Sequence, residues 1–192
     1  MSAATRITTP PTAEPLSLAE ARAHLRVDHF DEDGVLAGFI LAARSHIETV
    51  CGLALCTTSY TLTLDDFPAG QGIALTRDPV QSVTAIRYVN DAGTLVTWSS
   101  AEWEADVNTA PARVRPRDGY RWPSVADRLA AVQVEFVAGY GGPELVPQPI
   151  MQALRLLVGH FYEHREAVQS GGSVVELPFA VDALLAPYRR FI

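Results

Sequence analysis

The apolar residues of this chain change their spacing twice, and this change limits the folds that the chain can adopt. From about residue 31 to residue 51 they recur at helical spacing, and Gly52 follows where a helix would end. Tyr60, Leu62 and Leu64 then alternate with threonines, which is typical of a half-buried strand, and a helical period returns after Pro149. The pattern predicts an α+β fold: a small helical core of about four helices, interrupted by an antiparallel β insertion.

Composition and turn residues divide the chain into four predicted parts. They are an extended lead rich in proline and threonine (residues 1–15), an α+β body (16–168), a flexible Gly/Ser linker (169–176) and a C-terminal segment (177–192). Within the body we expect helices over about 17–27, 31–51 and 149–167, and the β insertion over about 57–138. Ser17 and Glu20 have the spacing of a capping box at the first of these helices.

The chain is acidic, with 22 acidic and 15 basic residues and a formal net charge of −7. A surface that grips nucleic acid needs a basic stripe, whereas an acidic wall repels phosphates and lets DNA slide past. The basic residues are all arginines, and five are concentrated in one region: Arg113, Arg115, Arg117, Arg121 and Arg128. We expect them to pair with acids of this chain or of neighbouring subunits. The alternative is phosphate contact, which would make the chain a DNA-binding module.

Hydropathy and cysteine content indicate a globular protein of the cytoplasm. No apolar run approaches the roughly 20 residues of a membrane span, and we expect no membrane contact. The first residues lack the apolar core of a signal peptide. Cys51 and Cys56 are too few for a disulfide framework and have no neighbour that would activate a thiolate, so we interpret both as structural thiols. The sequence predicts no cofactor.

One motif on the last long helix matches a pattern of catalytic zinc sites. His160, Glu163 and His164 form an H-x-x-E-H sequence, in which two histidines at i and i+4 share a helix face and a glutamate could act as general base. A catalytic zinc needs a third protein ligand, and the nearby downstream carboxylates are Glu166, Glu176 and Asp182. A zinc-dependent hydrolase is therefore kept as an alternative, against the interpretation that these side chains border a solvated face.

The C-terminal segment is strongly apolar and aromatic. Its candidate docking residues are Leu177, Pro178, Phe179, Leu184, Leu185, Tyr188, Arg189, Arg190, Phe191 and Ile192. Two interpretations stay open. A short helix that begins at about Pro178 folds back on its own core, or the segment docks on a partner, for which apolar anchors and paired arginines are typical.

The order and spacing of several short stretches are similar to those of a known family. They are LSLAEA (16–21), HLRVD (24–28), YTLTLD (60–65), FP (67–68), PVQSV (79–83), WP (122–123), FVAGYG (136–141), FYEHRE (161–166), LPF (177–179) and LLAPYR (184–189). With these stretches the chain resembles the head–tail connector (adaptor) proteins of long-tailed bacteriophages and gene transfer agents, in the branch that carries a β insertion. Relatives typically read aromatic-Tyr-Glu-x-Arg-Glu in the last long helix without paired histidines, so the resemblance implies that His160 and His164 are incidental.

The resemblance implies a structural, non-enzymatic role without metal or cofactor. Such proteins assemble in the host cytoplasm as a ring of about twelve copies under the portal protein of the virion, at the head–tail junction. They extend the channel for double-stranded DNA, without reading its sequence, and give the tail-side stopper proteins a surface for attachment. The resemblance also assigns portal docking to the C-terminal segment.

Overall fold

The computed structural model describes residues 3–70, 72–165 and 179–189. The chain forms two compact units. Unit 1 comprises the residues up to Thr12 and Thr57–Tyr140, and unit 2 comprises Ala13–Cys56 and the residues from Gly141 on. Strands occupy unit 1 and helices occupy unit 2, so the predicted α+β class, with a β insertion in a helical body, is confirmed.

Unit 1 consists of two antiparallel sheets. The larger sheet has the strand order β1-β2-β8-β4-β5, and the smaller has the order β3-β7-β6. The strands are β1 (Ala3–Thr9), β2 (Thr58–Leu64), β3 (Ile73–Ala74), β4 (Val80–Val89), β5 (Leu95–Thr97), β6 (Trp103–Asp106), β7 (Arg113–Pro116) and β8 (Val132–Ala138).

The core of unit 1 contains side chains that lie opposite each other on neighbouring strands. Tyr60 of β2 lies opposite Phe136 of β8, and their rings stack with centroids 5.4 Å apart. Leu62 pairs in the same register with Val134, and both are buried. An aromatic pair that faces across two strands stabilises their register in addition to the apolar area that it buries.

The first residues differ from the predicted lead. Ala3–Thr9 is the edge strand β1, which pairs with β2 from Ala3 opposite Leu64 onward. The alternation of Thr5, Ile7 and Thr9 gives these residues the strand propensity of β-branched side chains. Pro10 and Pro11 follow, and their lack of backbone N–H groups fits the end of a strand. The segment is an edge strand of the larger sheet of unit 1.

The turn between β4 and β5 is built by its asparagine. The Asn90 Oδ1 accepts hydrogen bonds from the N–H groups of Ala92 (3.1 Å) and Thr94 (3.0 Å). Gly93 has a φ of 78°, a left-handed conformation that favours glycine. The side chain and the glycine together fix the hairpin.

Unit 2 contains four helices and two short 3-10 turns among the described residues. They are α1 (Leu18–Leu25), α2 (Asp33–Cys51), α3 (Gln148–Glu163) and α4 (Phe179–Leu185), with the turns at Pro143–Leu145 and Ala186–Tyr188. The capping box is confirmed: Ser17 Oγ accepts from the Glu20 N–H (3.2 Å), and the Glu20 carboxylate accepts from the Ser17 N–H (3.0 Å). Gly52 ends α2 with a φ of 68°, as its position predicted.

Helix α2 buries one face and exposes the other. Leu36, Ile40 and Ile47 of the predicted apolar pattern are buried, whereas Val35 and Val50 are 44% and 37% exposed. The pattern was broader than the face that packs, because one helix side covers only about 100° of arc. By length and composition α2 could also span a membrane, but its buried residues are those of a core helix.

Two helix boundaries differ from the predictions. Helix α2 begins at Asp33, after the expected start at about residue 31, and has no side-chain cap. Helix α3 ends at Glu163, before the expected residue 167. In both cases the side chains at the boundary take part in other contacts, which are described below. The predicted linker over 169–176 lies outside the described residues.

Candidate functional site

The described part of the C-terminal segment divides into a buried face and an exposed face. In α4, Val181 and Leu185 are fully buried in unit 2, where the helix packs against α3. Phe179, by contrast, is 87% exposed, and Leu184 is half-buried. The segment folds back on its own core through one face and leaves an aromatic side chain in water on the other.

This division corrects one residue of the predicted docking set. Leu185 lies in the core of its own chain, because the i, i+4 spacing with Val181 places both on the side that faces α3. Tyr188 and Arg189 follow in and after the last 3-10 turn, and Arg189 donates to Asp182 (2.6 Å). Leu177, Pro178, Arg190, Phe191 and Ile192 lie outside the described residues.

A polar clasp joins the end of α3 to the residue before α2. The Tyr162 hydroxyl and the Arg165 guanidinium both donate to the carboxylate of Glu32, at 2.6 Å each. The guanidinium carbon of Arg165 also lies 4.6 Å from the centroid of the Tyr162 ring. Glu32, Tyr162 and Arg165, called the clasp below, occupy the positions at which α2 begins and α3 ends.

The contacts of the clasp shift the pKa values of its members in opposite directions. Hydrogen bonds from Tyr162 and then Arg165 lower the pKa of Glu32 below its ordinary value of 4.5. The bond to Glu32 raises the pKa of Tyr162 above 10.0. The FYEHRE stretch thus has a structural function, since its tyrosine and arginine hold Glu32 in the charged form.

The arginines of the predicted basic region have partners of different kinds, and Arg115, Arg117 and Arg121 line one open groove. Arg115, exposed on β7, pairs with Glu104 of β6 at 2.7 Å. Arg117 donates to the backbone carbonyl of Trp103 (2.9 Å). Arg113 lines an open groove of about 750 Å³ together with Asp106 and Glu104, so acids face the cation. The predicted pairing with the chain's own acids is therefore present at Arg115, whereas Arg121 and Arg128 lie on the exposed segment after β7.

The paired histidines of α3 are arranged as neighbours on one helix. The rings of His160 and His164 lie 4.7 Å apart, and the His164 Nδ1 donates to the His160 carbonyl oxygen (3.1 Å). Burial, followed by the charge of His164, lowers the pKa of His160 below 6.5. Asp182, one candidate third ligand, is paired with Arg189, and Glu166 and Glu176 lie outside the described residues. Among the residues that the structure describes, no group of three or more His, Cys, Asp or Glu side chains could hold a metal ion.

Both cysteines are reduced and buried in unit 2. Burial raises the pKa of the Cys51 thiol. Burial, together with the charges of Glu14 and Glu48, raises the pKa of Cys56 to about 11. A thiol that remains protonated at neutral pH is a poor nucleophile, which agrees with the interpretation as structural thiols.

Comparison with known protein families now adds to this geometry. The sequence profile described as "Phage gp6-like head-tail connector protein" matches residues 15–95, which include α1, α2 and the three strands β2, β3 and β4. In sequence the chain is similar to the phage head–tail connector family over these residues. A search of curated proteins finds no match.

Solved structures of a gene transfer agent (GTA) contain chains similar to this connector over almost its whole length. A chain in the neck of the empty GTA particle, computed with C6 symmetry, is 29% identical with a TM-score of 0.81 and covers 98% of this chain and 96% of that chain. A chain in the neck of the native particle, computed with C12 symmetry, is 27% identical with a TM-score of 0.80 and covers 100% and 97%. A chain in the virion of the native particle is likewise 27% identical with a TM-score of 0.80, and covers 98% and 96%.

The connector is thus a structural protein of the virion head–tail junction. Its candidate functional surface is made of exposed apolar side chains, not of a catalytic cluster. Sequence reasoning identified α4 but not its division into two faces, and it missed Glu32, whose partners lie more than a hundred residues further along the chain. Only the fold brings these residues together.

Proposed function

We propose that this connector assembles as a closed ring of twelve copies at the head–tail junction, as the twelve-fold symmetry of the similar neck suggests. The observation that supports this most directly is the likeness to that neck chain over the full length of both chains. The ring would extend the DNA channel below the portal protein and present a surface to tail-side stopper proteins. The role is structural and not enzymatic, as for the virion proteins to which the chain is similar.

The charge of the chain fits a channel that DNA passes without binding. Twelve copies at −7 each give a ring that carries roughly −84. A wall of this sign repels phosphates and avoids the counterion release that makes DNA bind. Acidic side chains also lie beside two of the arginines: Glu104 pairs with Arg115, and Asp106 lines the same groove as Arg113. These acids reduce the positive potential that would attract DNA.

Portal docking is proposed for the exposed face of the C-terminal segment. Phe179 is the candidate anchor, because it is 87% exposed while Val181 and Leu185 hold its helix in place. Aromatic side chains are enriched among interface hot spots. Deletion of residues 177–192 would also remove Val181 and Leu185 from the core, so a point substitution tests docking more sharply than a truncation does.

Electron microscopy of the purified chain, alone and mixed with its cognate portal protein, tests the ring. We expect rings, or an added layer under the portal. Particles that stay monomeric and leave the portal bare under both conditions would contradict the proposal.

Portal binding by Phe179→Ala tests the docking residue. We expect a loss of about thirtyfold in affinity, the size of a typical hot spot. Phe30→Ala is the matched control, since Phe30 is also an exposed phenylalanine of unit 2, at 69%. Unchanged binding by Phe179→Ala, in a chain that remains folded, would show that the anchor lies elsewhere.

A further inference from the structure

The exposed face of α2 carries no charge. Beyond Asp33, which is half-buried and pairs with Arg22, every exposed residue of α2 is apolar, small or neutral, including Val35, Leu41, Ser45 and Val50. Leu41 is 50% exposed. In a chain with 22 acidic and 15 basic residues, a helix face of this length without a charged side chain is unusual, since solvated helix faces are normally polar or charged.

Glycines on this face are not explained by the chain itself. Gly38 lies inside α2, where glycine is a poorer helix former than any residue except proline. A Cβ atom added at Gly38 or at Gly34 would meet nothing within 4 Å, so no contact within the chain requires their lack of a side chain. A glycine in such a place is useful where another backbone or side chain approaches the helix closely.

From these two observations, and resting on the ring proposed above, we propose that the exposed face of α2 is the surface through which one copy of the connector contacts the next. Copies of a chain with a net charge of −7 repel each other, and the repulsion is smallest where the facing surfaces carry no charge. Contacts in a cyclic ring are heterologous, so this face meets a different surface of the neighbouring copy.

The occupant is a second copy of the chain because the similar neck chain sits in an assembly of twelve-fold symmetry, in which each copy has two neighbours of its own kind. The open space at Gly34 and Gly38 admits a side chain or helix of that neighbour. Val35 and Leu41 lie three residues to either side of Gly38 and supply the apolar area that the contact buries.

A charge placed on this face tests the inference. Gly38→Arg puts a guanidinium where the chain leaves open space, so the monomer can fold while the contact must bury an unpaired charge. We expect ring formation in the presence of portal to fall about a hundredfold. Gln152→Arg, at an exposed position of α3, is the matched control and should assemble as the unaltered chain does.

The outcomes separate this inference from the ring itself. If the unaltered chain forms no ring, the proposed function fails. If the unaltered chain and Gly38→Arg form rings equally well, the ring stands and the α2 interface is wrong. If both arginine variants fail to assemble or to fold, Ser45→Cys decides: its thiol should be labelled by maleimide in the free chain and protected in the ring. Equal labelling in both states would leave this face open to another partner and would overturn the contact between copies.

Discussion

Removal of the buried arginine of α2 should destabilise unit 2 far more than removal of a surface charge. Arg44 and Glu48 are 7% and 6% exposed. Arg44 donates to Glu48 Oε2 (3.0 Å) and to Glu14 Oε2 (2.7 Å), while Glu48 Oε1 accepts from the Leu55 N–H (2.9 Å). The first segment of unit 2 is Ala13–Cys56, and Glu14 and Leu55 lie near its two ends. The network therefore connects both ends of this segment to α2.

We expect Arg44→Met to lower the free energy of unfolding by about 3–5 kcal/mol, the cost of breaking a buried ion pair. Methionine keeps the apolar volume of the arginine stem but takes the counter-charge away from the Glu48 carboxylate. Burial would lower the pKa of Arg44, but its bonds to Glu14 and the two negative charges raise it overall, so the guanidinium is charged in the folded chain. The loss is therefore that of a charged partner.

The assay is urea unfolding of the full chain followed by helical circular dichroism. Trp98, Trp103 and Trp122 all lie in unit 1, so their fluorescence does not report on the helices of unit 2. Glu48→Gln keeps an oxygen for the Leu55 N–H, and the double variant with Arg44→Met should cost about 1–3 kcal/mol less than the sum of the two. Exposed ion pairs contribute less than about 1 kcal/mol. The reasoning would be refuted if Arg44→Met lowered the free energy of unfolding by less than this and if the effects of the two substitutions were additive.

Three further predictions concern the clasp, the thiols and the glycines of α2. The folded-state pKa of Glu32 is lowered, so its contribution to stability is full above pH 4.5 and is lost as the pH falls through the lower folded-state pKa. The difference in the free energy of unfolding between the unaltered chain and Glu32→Gln should therefore shrink below pH 4.5. A difference that stays constant with pH would contradict this. Because the pKa of Cys56 is about 11, we expect iodoacetamide to modify it at neutral pH only after urea unfolding, as read by mass spectrometry; modification of the native chain would disprove this. Gly38→Ala should raise the free energy of unfolding of the unassembled chain by about 0.5–1 kcal/mol, whereas Gly52→Ala, at a φ of 68°, should lower it by about 1 kcal/mol or more. Urea unfolding measures both changes, and two changes of the same sign would refute the argument.

Local chemistry was predictable from the sequence, and long-range pairing was not. The Ser17–Glu20 capping box and the helix end at Gly52 each depend on residues within a few positions, and each is present as predicted. The edge strand β1 was missed because its partner β2 lies about fifty to sixty residues later and the prolines that follow β1 suggested a lead outside the sheet. The Glu32 contacts were missed for the same reason.

The candidate surface was predictable in part. The apolar character of α2 and α4 is evident from the sequence, but a helix that packs on its own core and a helix that packs on another molecule have the same composition. The structure distinguishes the two by exposure: Leu36 and Val181 are buried, whereas Val35 and Phe179 are open to solvent. Whether an apolar residue belongs to the core or to an interface is thus a property of the assembled fold.

Exposed apolar faces on both α2 and α4 predict that two kinds of contact can be separated. A ring subunit under a portal must meet neighbours of its own kind and a different protein, and these contacts need different surfaces. If α2 joins the copies and Phe179 docks on the portal, Gly38→Arg should reduce ring formation about a hundredfold, whereas Phe179→Ala chains should still associate with each other but bind portal weakly. Crosslinking of each variant, with and without portal, measures both contacts. A folded Phe179→Ala chain that no longer associates with itself would show that the two surfaces are one, because loss of the docking anchor should leave the uncharged face of α2 intact.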